Sequence, residues 1–144
     1  MSTTQFWGTW QLQSFEVRTS GGQVSYPFGR DATGYLIYGQ DGYMTVAVMK
    51  ANRANFDSPD LLAGSPDEKR IAFDTFGSYC GTYEVQKDKI IHHIKVSLFP
   101  NWSGTDQERF FKFSADQLVL SSPPMPAGGK EQTGIVVWRR VKPS

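Results

Sequence analysis

His92 is the titratable residue whose setting best suits chemistry near neutral pH. It lies in the β-prone run 89–98, where alternate residues point to opposite faces of a strand, so His92 and its neighbour His93 face opposite ways. A histidine on an apolar face can transfer a proton as a general acid or base, or ligate haem iron. The other possibility is a buried neutral imidazole that is hydrogen-bonded to a tyrosine or to the backbone. The sequence leaves these alternatives open.

Arg109, Tyr79 and Tyr83 are further polar residues that we expect on apolar faces. Arg109 shares a face with Phe111 and Phe113. There it could bind a carboxylate or polarise a carbonyl of a ligand, or it could stack on an aromatic ring with its charge reaching water. Tyr79 and Tyr83 could donate hydrogen bonds to a ligand oxygen, or they could pack with satisfied hydroxyls.

The sequence disfavours metal, nucleotide and nucleic-acid chemistry. His92 and His93 point apart and no second group of His or Cys accompanies them, so we expect no metal site. A phosphate-binding glycine loop, a dinucleotide fingerprint and a Gly-x-Ser-x-Gly elbow are absent, and we expect no cofactor. Lys and Arg number 15 against 14 acidic residues, which provides no broad basic surface for nucleic acid.

Cysteine content and hydropathy indicate the compartment. Cys80 is the single cysteine, which excludes an intramolecular disulfide. No apolar stretch approaches the roughly 20 residues that cross a bilayer, and residues 1–7 lack the basic start and apolar run of a signal peptide. We therefore expect a cytoplasmic protein without a membrane partner, as a monomer or a homodimer.

The elements that position these residues are β-prone runs separated by turn residues. Asp41-Gly42 between two such runs is a strong hairpin signal. The predicted strands are 8–18, a second that starts near residue 33 and includes 35–38, then 43–49, 78–85, 89–98, 107–113, 117–121 and 133–141. Eight strands joined mostly to their neighbours predict an all-β fold, a single eight-stranded antiparallel up-and-down barrel that spans residues 1–144 as one domain.

One segment departs from the strand pattern. Ser65 is a capping residue, Pro66 suits the first helical position and Glu68 follows three residues after the cap. Apolar residues at helical spacing follow, which predicts one short amphipathic helix over 66–76. Together with the loop 51–64, this helix could form a lid over one end of the barrel or a connector packed on the outside.

Strand alternation predicts a largely apolar interior with a few polar side chains, which is the composition of a ligand pocket. A barrel of this size can hold one small ligand or fill itself with side chains, and both alternatives stay open. In the run 89–98 the inward face comprises Ile90, His92, Ile94, Val96 and Leu98. The predicted ligand contacts are Met44, Val46, Val48, Tyr79, Tyr83, His92, Ile94, Arg109 and Phe111.

Longer stretches of the chain resemble one family. Gly8-Thr9-Trp10 and Trp138-Arg139-Arg140 resemble the signature of lipocalins and related barrels, in which a basic residue of the last strand packs across the first-strand tryptophan. The further matching segments are Tyr26-Pro27-Phe28-Gly29, Gly34-Tyr35-Leu36-Ile37-Tyr38, Asp41-Gly42-Tyr43-Met44, Gly81-Thr82-Tyr83, His92-His93, Ser97-Leu98-Phe99-Pro100-Asn101-Trp102, Gly104-Thr105, Pro123-Pro124 and Gly128-Gly129-Lys130. The chain thus resembles the lipocalin-like domain family of bacteria and fungi. The resemblance implies a calycin-type barrel around a hydrophobic ligand, and no single activity.

Binding of a small hydrophobic organic molecule inside the barrel, by a carrier or sequestering protein, is the function that we predict. Apolar burial would supply the affinity, and His92, Tyr83 and Arg109 would orient the ligand. The alternative is a cofactor-independent isomerase or cyclase that acts on a polyketide- or terpenoid-like substrate in the same cavity. There His92 would act as general acid or base, and Tyr83 or Arg109 would stabilise an enolate. A haem barrel with His92 as the iron ligand is the third and least favoured hypothesis.

Overall fold

The computed structural model describes residues 3–142 and shows one sheet of ten strands over that range. The strands are β1 (Gly8–Thr19), β2 (Val24–Ser25), β3 (Thr33–Tyr38), β4 (Tyr43–Met49), β5 (Phe76–Val85), β6 (Lys89–Ser97), β7 (Asp106–Ser114), β8 (Gln117–Ser121), β9 (Met125–Ala127) and β10 (Lys130–Arg140). The helical elements are α1 (Pro66–Asp74) and two 3₁₀ turns, Thr3–Phe6 and Pro100–Trp102. Within residues 3–142, no helix combines the length and the apolar character that a membrane crossing requires.

Pairing of the first and last long strands closes the sheet into a barrel. β1 is antiparallel to β3 on one side and to β10 on the other, so that Trp10 lies opposite both Leu36 and Arg140. Strands β3 to β8 follow in chain order, and β8 pairs with β10. The short β2 and β9 pair with β1 and β10 outside this circuit. The predicted all-β, eight-stranded up-and-down barrel with one short helix is confirmed.

The hairpin between β3 and β4 forms where Asp41-Gly42 predicts it. Gly42 adopts a φ of 89°, which a residue with a side chain rarely adopts. The Asp41 carboxylate accepts a hydrogen bond from the backbone N–H of Tyr43 at 3.1 Å, and the N–H of Gly39 donates to the Tyr43 carbonyl at 2.8 Å. This turn sets the register of β4 and thereby directs its apolar face into the barrel.

The helix α1 begins at the predicted capping box. The Ser65 hydroxyl accepts from the backbone N–H of Glu68 at 3.1 Å, and the Glu68 carboxylate accepts from the backbone N–H of Ser65 at 2.9 Å. The helix ends at Asp74, earlier than predicted, because Phe76 already pairs with Met49 as the first residue of β5. Strand pairing therefore overrides the helical spacing of the last predicted residues.

Aromatic side chains fill one end of the barrel. Phe6, at the end of the first 3₁₀ turn, is fully buried. Its ring packs edge-to-face against Tyr38, Phe111 and Phe113, with centroids 5.5, 5.0 and 4.9 Å away. The indole N–H of Trp10 donates to the Phe6 carbonyl at 2.9 Å. This half of the interior is filled by side chains.

Arg140 connects the last strand to the N-terminal turn. Its guanidinium donates hydrogen bonds to the carbonyls of Trp7 and Gln5, at 2.7 and 2.5 Å. Its Cζ lies 4.2 Å from the centroid of the Trp10 ring. A last-strand cation therefore packs across the first-strand tryptophan, as the sequence motif implied.

The prediction that Val96 of β6 faces inward is wrong. Cys80 of β5 pairs with Val96 of β6. The next residue of β5, Gly81, pairs with Ile94, so that Lys95 is an extra residue in β6. This bulge turns Val96 to the outer surface, where it is 65% exposed, whereas Leu98, which follows the end of β6, still lines the barrel cavity. Period-two alternation predicts a face only along an uninterrupted strand.

Candidate ligand-binding site

The half of the barrel away from Phe6 holds a cavity of about 440 Å³. This volume lies within the range of about 300–1,000 Å³ that small-molecule sites occupy. The apolar lining residues are Leu36, Val46, Val48, Leu98, Leu120, Met125, Val136, Phe15, Phe28, Phe73, Phe76, Phe99, Trp102 and Trp138. Phe73 of α1 and Phe99 after β6 are each about half exposed, so the cavity reaches the surface beside them. The last turn of α1 therefore lies at the cavity mouth.

His92 lies in the cavity wall between two tyrosines. Its Nε2 is 2.7 Å from the hydroxyl of Tyr38, and its Nδ1 is 2.7 Å from the hydroxyl of Tyr79. Tyr38 belongs to the aromatic half of the barrel, whereas Tyr79 lines the cavity. The imidazole thus connects the packed core to the cavity wall through two hydrogen bonds.

Burial keeps this group of side chains uncharged. His92 is 2% exposed. Loss of solvation, reinforced by the charges of Arg109 and His93, lowers the pKa of His92 to about 3. Burial also raises the pKa of Tyr38 and of Tyr79, although the charge of Arg109 opposes both shifts. At neutral pH the histidine and both tyrosines therefore act as neutral hydrogen-bonding groups.

Arg109 brings a positive charge to the cavity wall. Its Nη1 donates to the carbonyl of Glu108 at 2.8 Å, and its Cζ lies 5.7 Å from the centroid of the Trp102 ring. The guanidinium is also close enough to the Tyr79 hydroxyl to lower the pKa of that group against the effect of burial. Arg109 thus stacks on an aromatic ring while its charge remains within reach of a ligand oxygen.

A model of the lipocalin-like domain family matches residues 7–141, which include every strand of the barrel. The chain belongs to the lipocalin-like domain family. The resemblance seen in the sequence motifs is thereby confirmed. No solved structure matches the chain.

This lipocalin-like protein has a curated relative that is named as a carrier. The two are 29% identical over 107 residues, and the relative is the 4'-hydroxy-3'-methoxypropiophenone carrier protein ppsC of Aspergillus oryzae. The match covers 68% of this chain and 96% of the relative. The family, the apolar cavity and the carrier relative agree with the predicted function, which is the binding of a small hydrophobic ligand inside the barrel.

The surroundings of His92 do not favour the isomerase or cyclase alternative. General acid–base catalysis at neutral pH works best with a group whose pKa lies near that pH. The pKa of His92 is about 3, and tyrosine hydroxyls engage both ring nitrogens. The same two hydrogen bonds occupy the nitrogens that haem iron would need. His92 is better suited to positioning its tyrosine neighbours than to transferring protons.

The structure brings together five of the nine predicted ligand contacts, and these line the cavity: Val46, Val48, Tyr79, His92 and Arg109. The other four belong to the barrel interior but not to the cavity lining: Met44, Tyr83, Ile94 and Phe111. The Tyr83 hydroxyl donates to the carbonyl of Gly39 at 2.6 Å. Phe111 packs against Phe6 in the aromatic half. Contacts within the protein therefore already engage Tyr83 and Phe111.

Strand alternation did not predict several aromatic residues of the cavity. Phe15 turns inward because β1 contains an extra residue at Gln13, which shifts the register of its pairing with β10. Phe99 and Trp102 come from the segment after β6, and their ring centroids are 5.9 Å apart. The density of aromatic residues in 99–102 is a signal for these contacts, but a loop has no alternation that assigns its side chains to a face.

Proposed function

We propose that this lipocalin-like protein is a carrier, which encloses a small, largely apolar aromatic molecule in the barrel cavity and releases it unchanged. The observation that carries the proposal is the cavity of about 440 Å³ with its aliphatic and aromatic lining. Burial of apolar ligand surface contributes about 25 cal/mol per Å². A few polar groups, which here are His92, Tyr79 and Arg109, orient the ligand.

The carrier relative supports an aromatic ligand. Its name specifies a propiophenone with hydroxy and methoxy substituents, which is a compact aromatic ketone. The cavity of the present protein offers aromatic rings on several sides, among them Phe15, Trp102 and Trp138. Such rings pack favourably against a flat aromatic ligand, edge to face or offset face to face. We therefore take substituted aromatic compounds of this size as the ligand class.

Calorimetric titration of the full chain with 4'-hydroxy-3'-methoxypropiophenone tests the proposal. The wild-type protein is expected to bind one molecule. Val46→Phe places a larger side chain in the cavity wall and should weaken binding by about tenfold or more, because overpacking costs about 1–3 kcal/mol. Val96→Phe makes the same substitution on the outer surface and should bind like the wild type.

Two outcomes would contradict the carrier proposal. Equal affinity of Val46→Phe and the wild type would place the ligand outside the cavity, provided that circular dichroism shows an intact barrel in the variant. Failure of the wild-type protein to bind this compound and related alkyl phenones would contradict the proposed ligand class. Chemical analysis of the compound after incubation should show that it is unchanged, because a carrier does not convert its ligand.

The compartment and the assembly are also part of the proposal. Cys80 is a free thiol, which suits a reducing compartment such as the cytoplasm. We assign the protein to the cytoplasm as a monomer or homodimer, with a small molecule rather than nucleic acid or membrane as its partner. Light scattering of the purified chain measures the assembly state.

A further inference from the structure

We infer that the cavity recognises a carbonyl oxygen of its ligand through the hydroxyl of Tyr79, whose proton the neighbouring histidine leaves free to donate. The inference rests on the proposed function, since it adds a polar contact to the same cavity. It follows from the placement of protons among Tyr38, His92 and Tyr79.

The first step is the tautomer of His92. A neutral imidazole has one nitrogen that donates a hydrogen bond and one that accepts. Tyr38 is 1% exposed, and within residues 3–142 its hydroxyl has His92 Nε2 as its hydrogen-bond partner. If Nε2 carried the proton, Tyr38 would accept it, and the O–H of Tyr38 would be buried without an acceptor, which is unfavourable. Tyr38 therefore donates to Nε2, and the proton of His92 resides on Nδ1.

The second step concerns the proton of Tyr79. Because Nδ1 carries a proton, it donates to the Tyr79 oxygen across the 2.7 Å contact. Among the residues that the structure describes, the other polar side chain beside this hydroxyl is that of Arg109, which has only donors and cannot accept a hydrogen bond. Neither neighbour uses the O–H of Tyr79, and Tyr79 lines the cavity. Its proton is thus available to an acceptor on the ligand.

The third step is the chemistry of the ligand. At this place in the wall the protein presents two kinds of donor, the O–H of Tyr79 and the N–H groups of Arg109. The ring of Trp102 lies beside both, with its centroid 5.9 Å from that of Tyr79 and 5.7 Å from Cζ of Arg109. An aromatic ring next to a carbonyl group would satisfy these three side chains together. The matching ligand class is aromatic ketones and related aryl carbonyl compounds.

Nitrogen NMR of the ligand-free wild-type protein, labelled with ¹⁵N-histidine, tests the proton placement without a substitution. Nδ1 of His92 should have the chemical shift of a protonated ring nitrogen, and Nε2 that of an unprotonated nitrogen that accepts a hydrogen bond. The reverse assignment would overturn the inference, because Tyr79 would then donate its proton to Nδ1. This result would leave the carrier proposal intact.

A binding cycle tests the contact with the carbonyl. Propiophenone has a carbonyl group where propylbenzene has a methylene group. The ratio of their affinities therefore isolates the contribution of the carbonyl group to binding. The affinity for propiophenone divided by the affinity for propylbenzene should be about tenfold lower in Tyr79→Phe than in the wild type. This is the change expected for loss of one buried hydrogen bond. Tyr35→Phe, on the outer surface, should leave the ratio at its wild-type value.

The outcomes of this cycle separate the two proposals. An unchanged ratio in Tyr79→Phe, with both probes still bound, would overturn the carbonyl contact while the carrier function stands. Failure of both probes to bind the wild-type protein would overturn the carrier function and the carbonyl contact together. The cost of the unpaired Nδ1–H of His92 in the ligand-free Tyr79→Phe protein is the same for both probes and cancels in the ratio.

Discussion

His92 and His93 are adjacent in β6, but they lie on opposite sides of the barrel wall and their pKa values shift in opposite directions. Burial lowers the pKa of His92 to about 3. His93 lies on the outer side, with Nδ1 2.7 Å from the carboxylate of Asp106 and Nε2 3.2 Å from that of Glu84. The hydrogen bond to Asp106 is the largest cause that raises the pKa of His93. The two histidines therefore link stability to pH with opposite signs.

Acidification should destabilise the protein through His92. Its folded-state pKa of about 3 lies below its ordinary value of 6.5. The unfolded chain takes up this proton first, so stability falls as the pH drops from about 6.5 towards 3. His92→Gln can still hydrogen-bond both tyrosines but does not titrate. Its free energy of unfolding, measured with urea between about pH 5.5 and 4, should depend on pH less steeply by about 1 kcal/mol per unit. If the free energies of unfolding of the wild type and of the variant depended on pH with the same slope, the prediction would be contradicted.

His93 should stabilise the fold at low rather than high pH. Its folded-state pKa is raised, so its contribution is complete below the unfolded value of 6.5 and is lost as the pH rises through the raised value. The stability difference between the wild type and His93→Gln should thus be larger near pH 6 than near pH 9. Because a third of the side chain is exposed, solvent screening should keep that difference below about 1 kcal/mol. Urea titrations at about pH 6 and about pH 9 measure this stability difference. The same difference at both pH values would contradict the prediction.

Phe6→Ala should destabilise the closed end of the barrel without affecting the ligand cavity. Deleting a buried phenylalanine ring costs about 3–5 kcal/mol. Phe110→Ala removes the same ring from a residue that is 41% exposed and should cost less than about 1 kcal/mol. Urea denaturation measures both variants, and calorimetry should show wild-type ligand affinity for each. A similar loss of stability in the two variants would mean that Phe6 does not close the barrel.

Arg140→Lys should lower the free energy of unfolding by about 1–2 kcal/mol, although it retains the charge. A lysine cannot donate to the carbonyls of Trp7 and Gln5 together while its head group lies flat over Trp10. Arg139→Lys is the matched control, since that side chain is half exposed and its Nε is 3.7 Å from the Asp116 carboxylate. We expect the control to change stability by about 0.5 kcal/mol or less. Thermal and urea unfolding should rank the two variants in this order.

Several features were predictable because they depend on residues that are close together in the chain. The capping box joins Ser65 to Glu68 three residues away. The turn at Asp41-Gly42 needs only a short carboxylate and a residue that tolerates positive φ. Alternation over an uninterrupted strand correctly placed Val46 and Val48 in the cavity wall. In each case the physical cause acts within a few residues.

Other features depend on contacts that form only when the barrel closes. The extra residue at Lys95 follows from pairing with β5 and reverses the face of Val96. Tyr38 and His92 are 54 positions apart in the chain, so their hydrogen bond has no local sequence signal.

The sequence alone was enough for the number of long strands, the start of the helix and the inward face of uninterrupted strands such as β4, because turn chemistry and strand alternation are local. Barrel closure decided which part of the interior is filled by aromatic rings around Phe6 and which part remains an open cavity. It also decided the charge of His92, because desolvation depends on every residue that surrounds the imidazole in the folded protein. These properties depend on residues that are far apart in the chain and meet only in the closed barrel.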